Sequence, residues 1–282
     1  MPIDLHVHST ESDGTFTPNE LVDIAFSNKV DTMALCDHDT ISGVRAFLNY
    51  AQGKNIRAIA GVELSAFSDG GECHILGINI PLDNEALNTA IDTYQNSRVV
   101  RNDAIIWKLN KLGVSISHQD VSTFSKGEIA GRMHIARVLV DKGAAGSIDD
   151  AFRKFLIKGG PAFVERLKMN PFEMVALLKR TGAKVVLAHP GLLHMKEKNM
   201  FDFVKKLVAS GLDALEVYTP HNTDSQIIML SRIADSLNLI KSGGSDFHGE
   251  NKAGHEIGFY RPGVQVPDSV YSLLATGNET TV

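Results

Sequence analysis

The chain has 282 residues, of which 43% are hydrophobic and 22% charged, with a formal net charge of -5. That length allows one large α/β domain with a small insertion, and the charge excludes the basic footprint of a duplex-DNA binder. No apolar run is long enough to span a bilayer, and the opening MPIDLHVHST lacks the basic and apolar regions of a signal peptide. The two cysteines, Cys36 and Cys73, form no CxxC pair, so a reducing, cytoplasmic setting is expected.

Strand-like and helix-like segments alternate along the chain. Residues 2–8 read as a short strand. Thr17-Pro18-Asn19-Glu20 is a capping box with Pro at the first helical position, which predicts a helix to about Asn28. Strands follow at 32–36, 56–64 and 73–80, with a helix starting at Ser42. Asn170-Pro171-Phe172-Glu173 repeats the capping pattern. Residues 184–188 are nearly all apolar, the pattern of a strand buried on both faces. Helices at 201–210 and 223–238 then alternate with strands at 214–218 and 239–243. Repeated βα units predict a parallel α/β barrel or a doubly wound sheet. The middle, residues 83–163, lacks clear strands and reads as a helical insertion, with helices at 85–112, 132–142 and 149–156. The barrel domain would then be built from 1–82 and 164–282.

The eleven histidines are unusual in their placement. In Asp4-Leu5-His6-Val7-His8, strand alternation puts His6 and His8 on one face and Leu5 and Val7 on the other. Two imidazoles at a strand end make a metal clip. Asp13 lies in Ser12-Asp13-Gly14, which is also ordinary turn chemistry. Cys36-Asp37-His38-Asp39 follows an apolar strand, where α/β folds place functional groups. Glu63 comes near the end of Ile59-Ala60-Gly61-Val62-Glu63, and a carboxylate there needs a partner. His74 starts the next strand and His189 ends 185–189. Gly243-Gly244-Ser245-Asp246-Phe247-His248 ends the last inner strand, with Asp246 and His248 expected on one face. Taken singly, each of these has a bland explanation. Together, nine candidate ligands (His6, His8, Asp13, His38, Glu63, His74, His189, Asp246, His248) at strand ends predict one rim holding two or three divalent ions. The donor set, with no thiolate, suits Mn²⁺, Zn²⁺ or Fe²⁺. No G-x-S-x-G nucleophile motif and no P-loop is present.

These segments, DLHVHS, DHDT, GVE, CH, AHP and SDFH in this order, resemble the PHP (polymerase and histidinol phosphatase) family. The resemblance covers residues 2 to about 260. It implies a distorted (β/α)7 barrel with a helical insertion and a trinuclear metal site, with Mn²⁺ the favoured ion. His6, His8, Glu63 and Asp246 would hold the first ion. Glu63 would bridge to a second, held also by His74 and His189, and Asp13, His38 and His248 would hold the third. Within the insertion, Gly131-Arg132-Met133-His134-Ile135-Ala136-Arg137 resembles the GRxHIA segment of the subgroup that hydrolyses nucleoside 3',5'-bisphosphates and trims short RNA from its 5' end. In that subgroup the insertion helps to cover the active site. Arg132 would bind phosphate through its fork of donors. His134 and His221 would add donors, or one would protonate the leaving alkoxide, beside Asp246 at the metals. His221 sits in Tyr218-Thr219-Pro220-His221-Asn222, just past a strand; Arg166 and Lys168 are further phosphate contacts to consider.

The expected partner is therefore a small phosphorylated nucleotide or a short single-stranded RNA, with no membrane and no duplex DNA. Other readings stay open at this point: a phosphatase of histidinol phosphate or another small phosphomonoester, a non-catalytic module of the same fold, and a C–N amidohydrolase. The GRMHIAR segment, the complete ligand set, and the extra Asp13, His38 and His248 count against them in turn.

Overall fold

A computed structural model describes residues 2–68, 71–125, 131–165 and 169–274. Arg166 and Lys168 lie outside the described residues. The chain forms two compact units, Met1–Asn88 with Met169–Val282, and Thr89–Lys168.

The first unit is a seven-stranded sheet in chain order: β1 (Ile3–Val7), β2 (Thr32–Leu35), β3 (Arg57–Ser68), β4 (Gly71–Ile78), β5 (Lys184–Leu187), β6 (Ala214–Tyr218) and β7 (Ile240–Gly243). The sheet curls until its ends meet. Val7 bridges to Phe247, and the His8 N–H donates to the Phe247 carbonyl at 3.0 Å. This is a distorted barrel, as expected, but not a wholly parallel one. β4 runs antiparallel to both β3 and β5. Only two residues separate β3 from β4, far fewer than a crossover requires, so they form a hairpin.

Helices α1 (Pro18–Ser27), α2 (Val44–Ala51), α7 (Pro171–Arg180), α8 (Glu197–Ser210) and α9 (Asp224–Ser236) accompany the strands. The capping box at Thr17 forms in full: its side chain accepts from the Glu20 N–H, and Glu20 accepts from the Thr17 N–H at 2.8 Å. Asn170 caps α7 by accepting from Phe172 at 2.9 Å, without the reciprocal Glu173 bond of a capping box. Thr223 and Gln226 close a second complete box at α9. α2 starts at Val44 rather than Ser42, because the Ser42 side chain is held by Thr40 and Glu11.

One buried cluster gathers Ile3, Leu5, Ala34, Cys36, Ile59, Leu76, Val186 and Ala214 with Val270 and Leu273 from the final turn. Leu5 in this cluster departs from simple alternation. β1 takes three steps from Asp4 to Val7 while β2 takes two from Met33 to Leu35, a bulge of one residue. The extra residue lets Leu5 join the interior cluster while His6 and His8 reach the site above it.

The second unit is helical, with α3 (Glu85–Lys111, whose first turn belongs to the first unit), α4 (His118–Ser125), α5 (Arg132–Asp141) and α6 (Ile148–Ala151), the last continuing into a π turn at Phe152–Leu156. It has its own core of Ile105, Leu109, Ile135, Leu139, Ala151 and Leu156. Helix α4 was not expected from the sequence. Its eight residues hold Val121 as a buried anchor among polar neighbours, too little for an amphipathic repeat. Among the described residues no helix is long and apolar enough to cross a membrane.

Candidate active site

Glu63 is fully buried in the middle of β3, and five imidazoles surround its carboxylate. Oε1 faces His74 Nδ1 and His189 Nε2, each at 3.0 Å. Oε2 faces His6 Nε2 at 3.3 Å, His8 Nε2 at 3.2 Å and His38 Nδ1 at 3.0 Å. Neither Glu63 nor His74 is at a strand end, contrary to expectation. The β3–β4 hairpin runs well past its neighbours, and Glu63 pairs with Leu76 while Ser65 pairs with His74. His74 is therefore the diagonal neighbour of Glu63, close enough for the side chains to meet.

Asp246 closes the other side. Its Oδ1 lies 3.1 Å from His8 Nε2 and 3.5 Å from His6 Nε2. Its Oδ2 is bound by His221 Nε2 at 2.6 Å and Lys252 Nζ at 2.5 Å. β7 ends at Gly243 and Asp246 has φ +48°, so the expected strand alternation of Asp246 and His248 does not exist. Both reach the cluster by a turn instead. His248 binds the Asp246 carbonyl through Nδ1 at 2.8 Å, leaving Nε2 3.2 Å from Asp13 Oδ1. His38 Nε2 approaches Asp13 Oδ2 at 3.8 Å. His189, at φ +26°, is another non-glycine residue in a sparsely populated conformation.

All nine candidate ligands are thus brought together. Ligand atoms of three sets lie within 4.8 Å of one another: His6, His8, Glu63 and Asp246; His8, Asp13, His38 and His248; and His38, Glu63 and His74. The first set matches expectation. In the others, His8 joins the Asp13 group and His38 completes the set with Glu63 and His74, while His189, expected there, also stands 3.0 Å from Glu63 Oε1.

Burial alone would raise the Glu63 carboxyl, but His38, His6 and His74 hold it well below the usual carboxylate range. At Asp246, His6, His221 and His8 likewise outweigh burial. Burial, with His248 and His38 nearby, pushes His8 down to about 4. Burial opposes charge on His74 too, but Glu63 and Glu72 raise it to about 10. Buried atoms with no hydrogen-bond partner include His6 Nε2, both ring nitrogens of His8, His38 Nδ1, Glu63 Oε2, Asp246 Oδ1 and His248 Nε2. Orphaned polar atoms are costly. That these converge on one another is the chemistry of a divalent-cation site, and the residues fit such a group.

Several buried acids that sequence reading passed over frame this site. Asp4 accepts the N–H groups of His6, Ser245 and Gly258 at 2.8–3.1 Å, joining β1 to the turn that carries Asp246. Asp37 accepts from Ser9 and Ser12 at the Asp13 loop. Glu216, on β6, accepts from His6 Nδ1 at 2.8 Å. Like Glu63, Glu216 in Ala214-Leu215-Glu216-Val217-Tyr218 is a carboxylate inside an apolar strand, a local signal that it needs a partner. Lys252, at the end of a short 3-10 helix, and His255, whose Nδ1 is 3.2 Å from the Asp246 carbonyl oxygen, have no sequence period to reveal them.

In the second unit, the Arg132 guanidinium stands over the Phe163 ring, 5.9 Å from its centroid. His134 Nδ1 accepts from the Gly131 N–H at 2.9 Å, so one of its ring nitrogens caps α5.

The PHP domain profile matches residues 4–240 of the chain. The chain belongs to the PHP domain family. It is 34% identical over 245 residues to a 5'-3' exoribonuclease of Haemophilus influenzae, covering 87% of this chain and 89% of that protein. It is 30% identical over 257 residues to a 3',5'-nucleoside bisphosphate phosphatase of Chromobacterium violaceum, covering 91% and 90%. Among solved structures, a candidate metal-dependent phosphoesterase from Bifidobacterium adolescentis superposes with a TM-score of 0.82 at 27% identity, over 99% of both chains. The PHP chain described here is accordingly a hydrolase, a metal-dependent phosphoesterase.

Proposed function

We propose that this phosphoesterase removes the 3'-phosphate from nucleoside 3',5'-bisphosphates to give 5'-monophosphates, and also trims short RNA from its 5' end. The observation that carries the hydrolytic half is the Glu63 carboxylate shared among five imidazoles. The substrate half is supported by the named activities of relatives about 30% identical and by the GRMHIAR segment.

In this reading two or three divalent ions, with Mn²⁺ favoured, would be held by His6, His8, Glu63 and Asp246; by Glu63, His74 and His189; and by Asp13, His38 and His248. Such ions lower the pKa of water and neutralise phosphate oxygens as charge builds in the transition state. The protein's own part is to position and to move protons. His221, bound to Asp246, protonates the leaving ribose oxygen. The insertion, residues 83–163, supplies Arg132 and His134 as a metal-free anion site for the 5'-phosphate. Binding energy from that remote phosphate then orients the reacting one. The cytoplasm, where nucleotides and RNA fragments occur, is the proposed setting.

Arg132→Ala tests the substrate half. A charge-assisted hydrogen bond contributes about 1.5–3 kcal/mol, so kcat/KM for adenosine 3',5'-bisphosphate should fall about 10–100-fold. Hydrolysis of p-nitrophenyl phosphate should stay near wild type. Equal losses on both substrates would remove the assignment.

A further inference from the structure

Glu216 is fully buried and belongs to none of the three ligand sets. Its two oxygens do different work. Oε1 is 2.8 Å from His6 Nδ1, while Oε2 accepts the backbone N–H of His189 at 2.6 Å. His6 therefore turns its other nitrogen, Nε2, toward Glu63 and Asp246, at 3.3 and 3.5 Å. His189 has φ +26°, and its turn is held a second time by Asn222. Asn222 accepts from the Gly191 N–H at 3.0 Å and donates to the carbonyls of Glu216 and Val217. The end of β6 thus grips the turn that carries His189.

We propose that Glu216 is a positioning residue: one buried carboxylate fixes which nitrogen His6 presents to a divalent ion and where His189 stands. The proposal rests on the ligand roles given above for His6 and His189. An imidazole that donates Nδ1–H to a carboxylate keeps its Nε2 lone pair for a metal, and outer partners of this kind typically set affinity by about 10–100-fold. Here a single side chain does so for two ligands, one facing each carboxylate oxygen of Glu63.

The chemistry of Glu216→Gln follows from counting donors and acceptors. Glu216 accepts from two N–H groups, and glutamine keeps only one oxygen. If that oxygen faces His189, the amide NH2 faces His6 Nδ1. That nitrogen must then accept, which moves the ring proton to Nε2 and blocks the metal-facing atom. If the amide is reversed, its NH2 meets the His189 N–H head-on and the turn must shift. Either arrangement spoils one ligand while volume and packing are kept.

The test is Mn²⁺ binding to metal-stripped protein by titration calorimetry, with no substrate, on wild type, Glu216→Gln, His6→Ala and the double variant. The expected result is a loss of about 10–100-fold in Mn²⁺ affinity for Glu216→Gln. A larger loss is expected for His6→Ala. Because the two residues act together, the double variant should lose less than the sum of the two. Wild-type affinity in Glu216→Gln with a weakened His6→Ala overturns the positioning role alone. Wild-type affinity in His6→Ala overturns the ligand reading and this inference with it. A lower melting temperature for Glu216→Gln with unchanged Mn²⁺ affinity would show a merely structural carboxylate and also overturns the proposal. Should Glu216→Gln fail to fold, nitrogen-15 NMR of Zn²⁺-loaded wild type decides. His6 must carry its ring proton on Nδ1, and a proton on Nε2 contradicts the proposal.

Discussion

At the scale of single residues, Glu63 concentrates the chemistry. Five imidazoles share its two oxygens, and no other carboxylate among the described residues has that many histidine neighbours. Glu63→Ala would leave those rings as a buried, uncompensated cluster. We expect turnover to fall by more than the roughly 10–100-fold that loss of an outer partner costs. Circular dichroism should stay native, because the apolar cluster beneath, with Ile59 and Leu76, is untouched. Near-normal turnover at saturating Mn²⁺ would show that Glu63 is not shared between ions. The nine candidate ligands were legible in the sequence because His and carboxylate side chains within or just beyond apolar strands have no use in a packed core, although Glu63 and His74 lie inside their strands rather than at the ends. Glu216, Asp4 and Asp37 were less legible, since each reads as one acid in an apolar or turn segment and declares its partner only in three dimensions.

At the scale of elements, caps stabilise the helices while turns place the candidate ligands. Thr17→Ala removes a complete capping box at the start of α1 and should cost about 1 kcal/mol in denaturant unfolding. Turnover should not change, since Thr17 touches no ligand. A fall in turnover without a fall in stability would contradict that separation. Gly244 is a different case. A Cβ there would lie 2.5 Å from His6 Cβ and 2.6 Å from its backbone nitrogen, and neither can swing away. Gly244→Ala should therefore cost about 1–3 kcal/mol and also weaken Mn²⁺ binding, because the atoms displaced belong to His6. Unchanged Mn²⁺ affinity would show that β1 and the Asp246 turn move independently. The helix starts at Thr17 and Asn170 could be read from the sequence because capping is local. The bulge in β1, the antiparallel β4 and the left-handed Asp246 could not. The bulge and the left-handed turn lie where the sheet closes on itself, which no short window of sequence contains, while the short β3–β4 connection is hidden because the sequence reads as strands at 56–64 and 73–80.

For the whole molecule, the βα alternation predicts a parallel barrel or a doubly wound sheet and the family resemblance implies a distorted barrel, and the seven strands follow in chain order. The expected insertion at 83–163 and the compact unit at Thr89–Lys168 overlap over most of their length, with bounds a few residues apart. The proposed reaction assigns hydrolysis to the cluster around Glu63 and recognition of the 5'-phosphate to Arg132. Its most direct test is phosphorus-31 NMR of adenosine 3',5'-bisphosphate turnover by the Mn²⁺-loaded protein, with an EDTA-treated sample as control. Adenosine 5'-monophosphate and inorganic phosphate are the expected products, with no turnover after EDTA; adenosine 3'-monophosphate as the product, or hydrolysis of adenosine 5'-monophosphate faster than of the bisphosphate, would contradict this assignment.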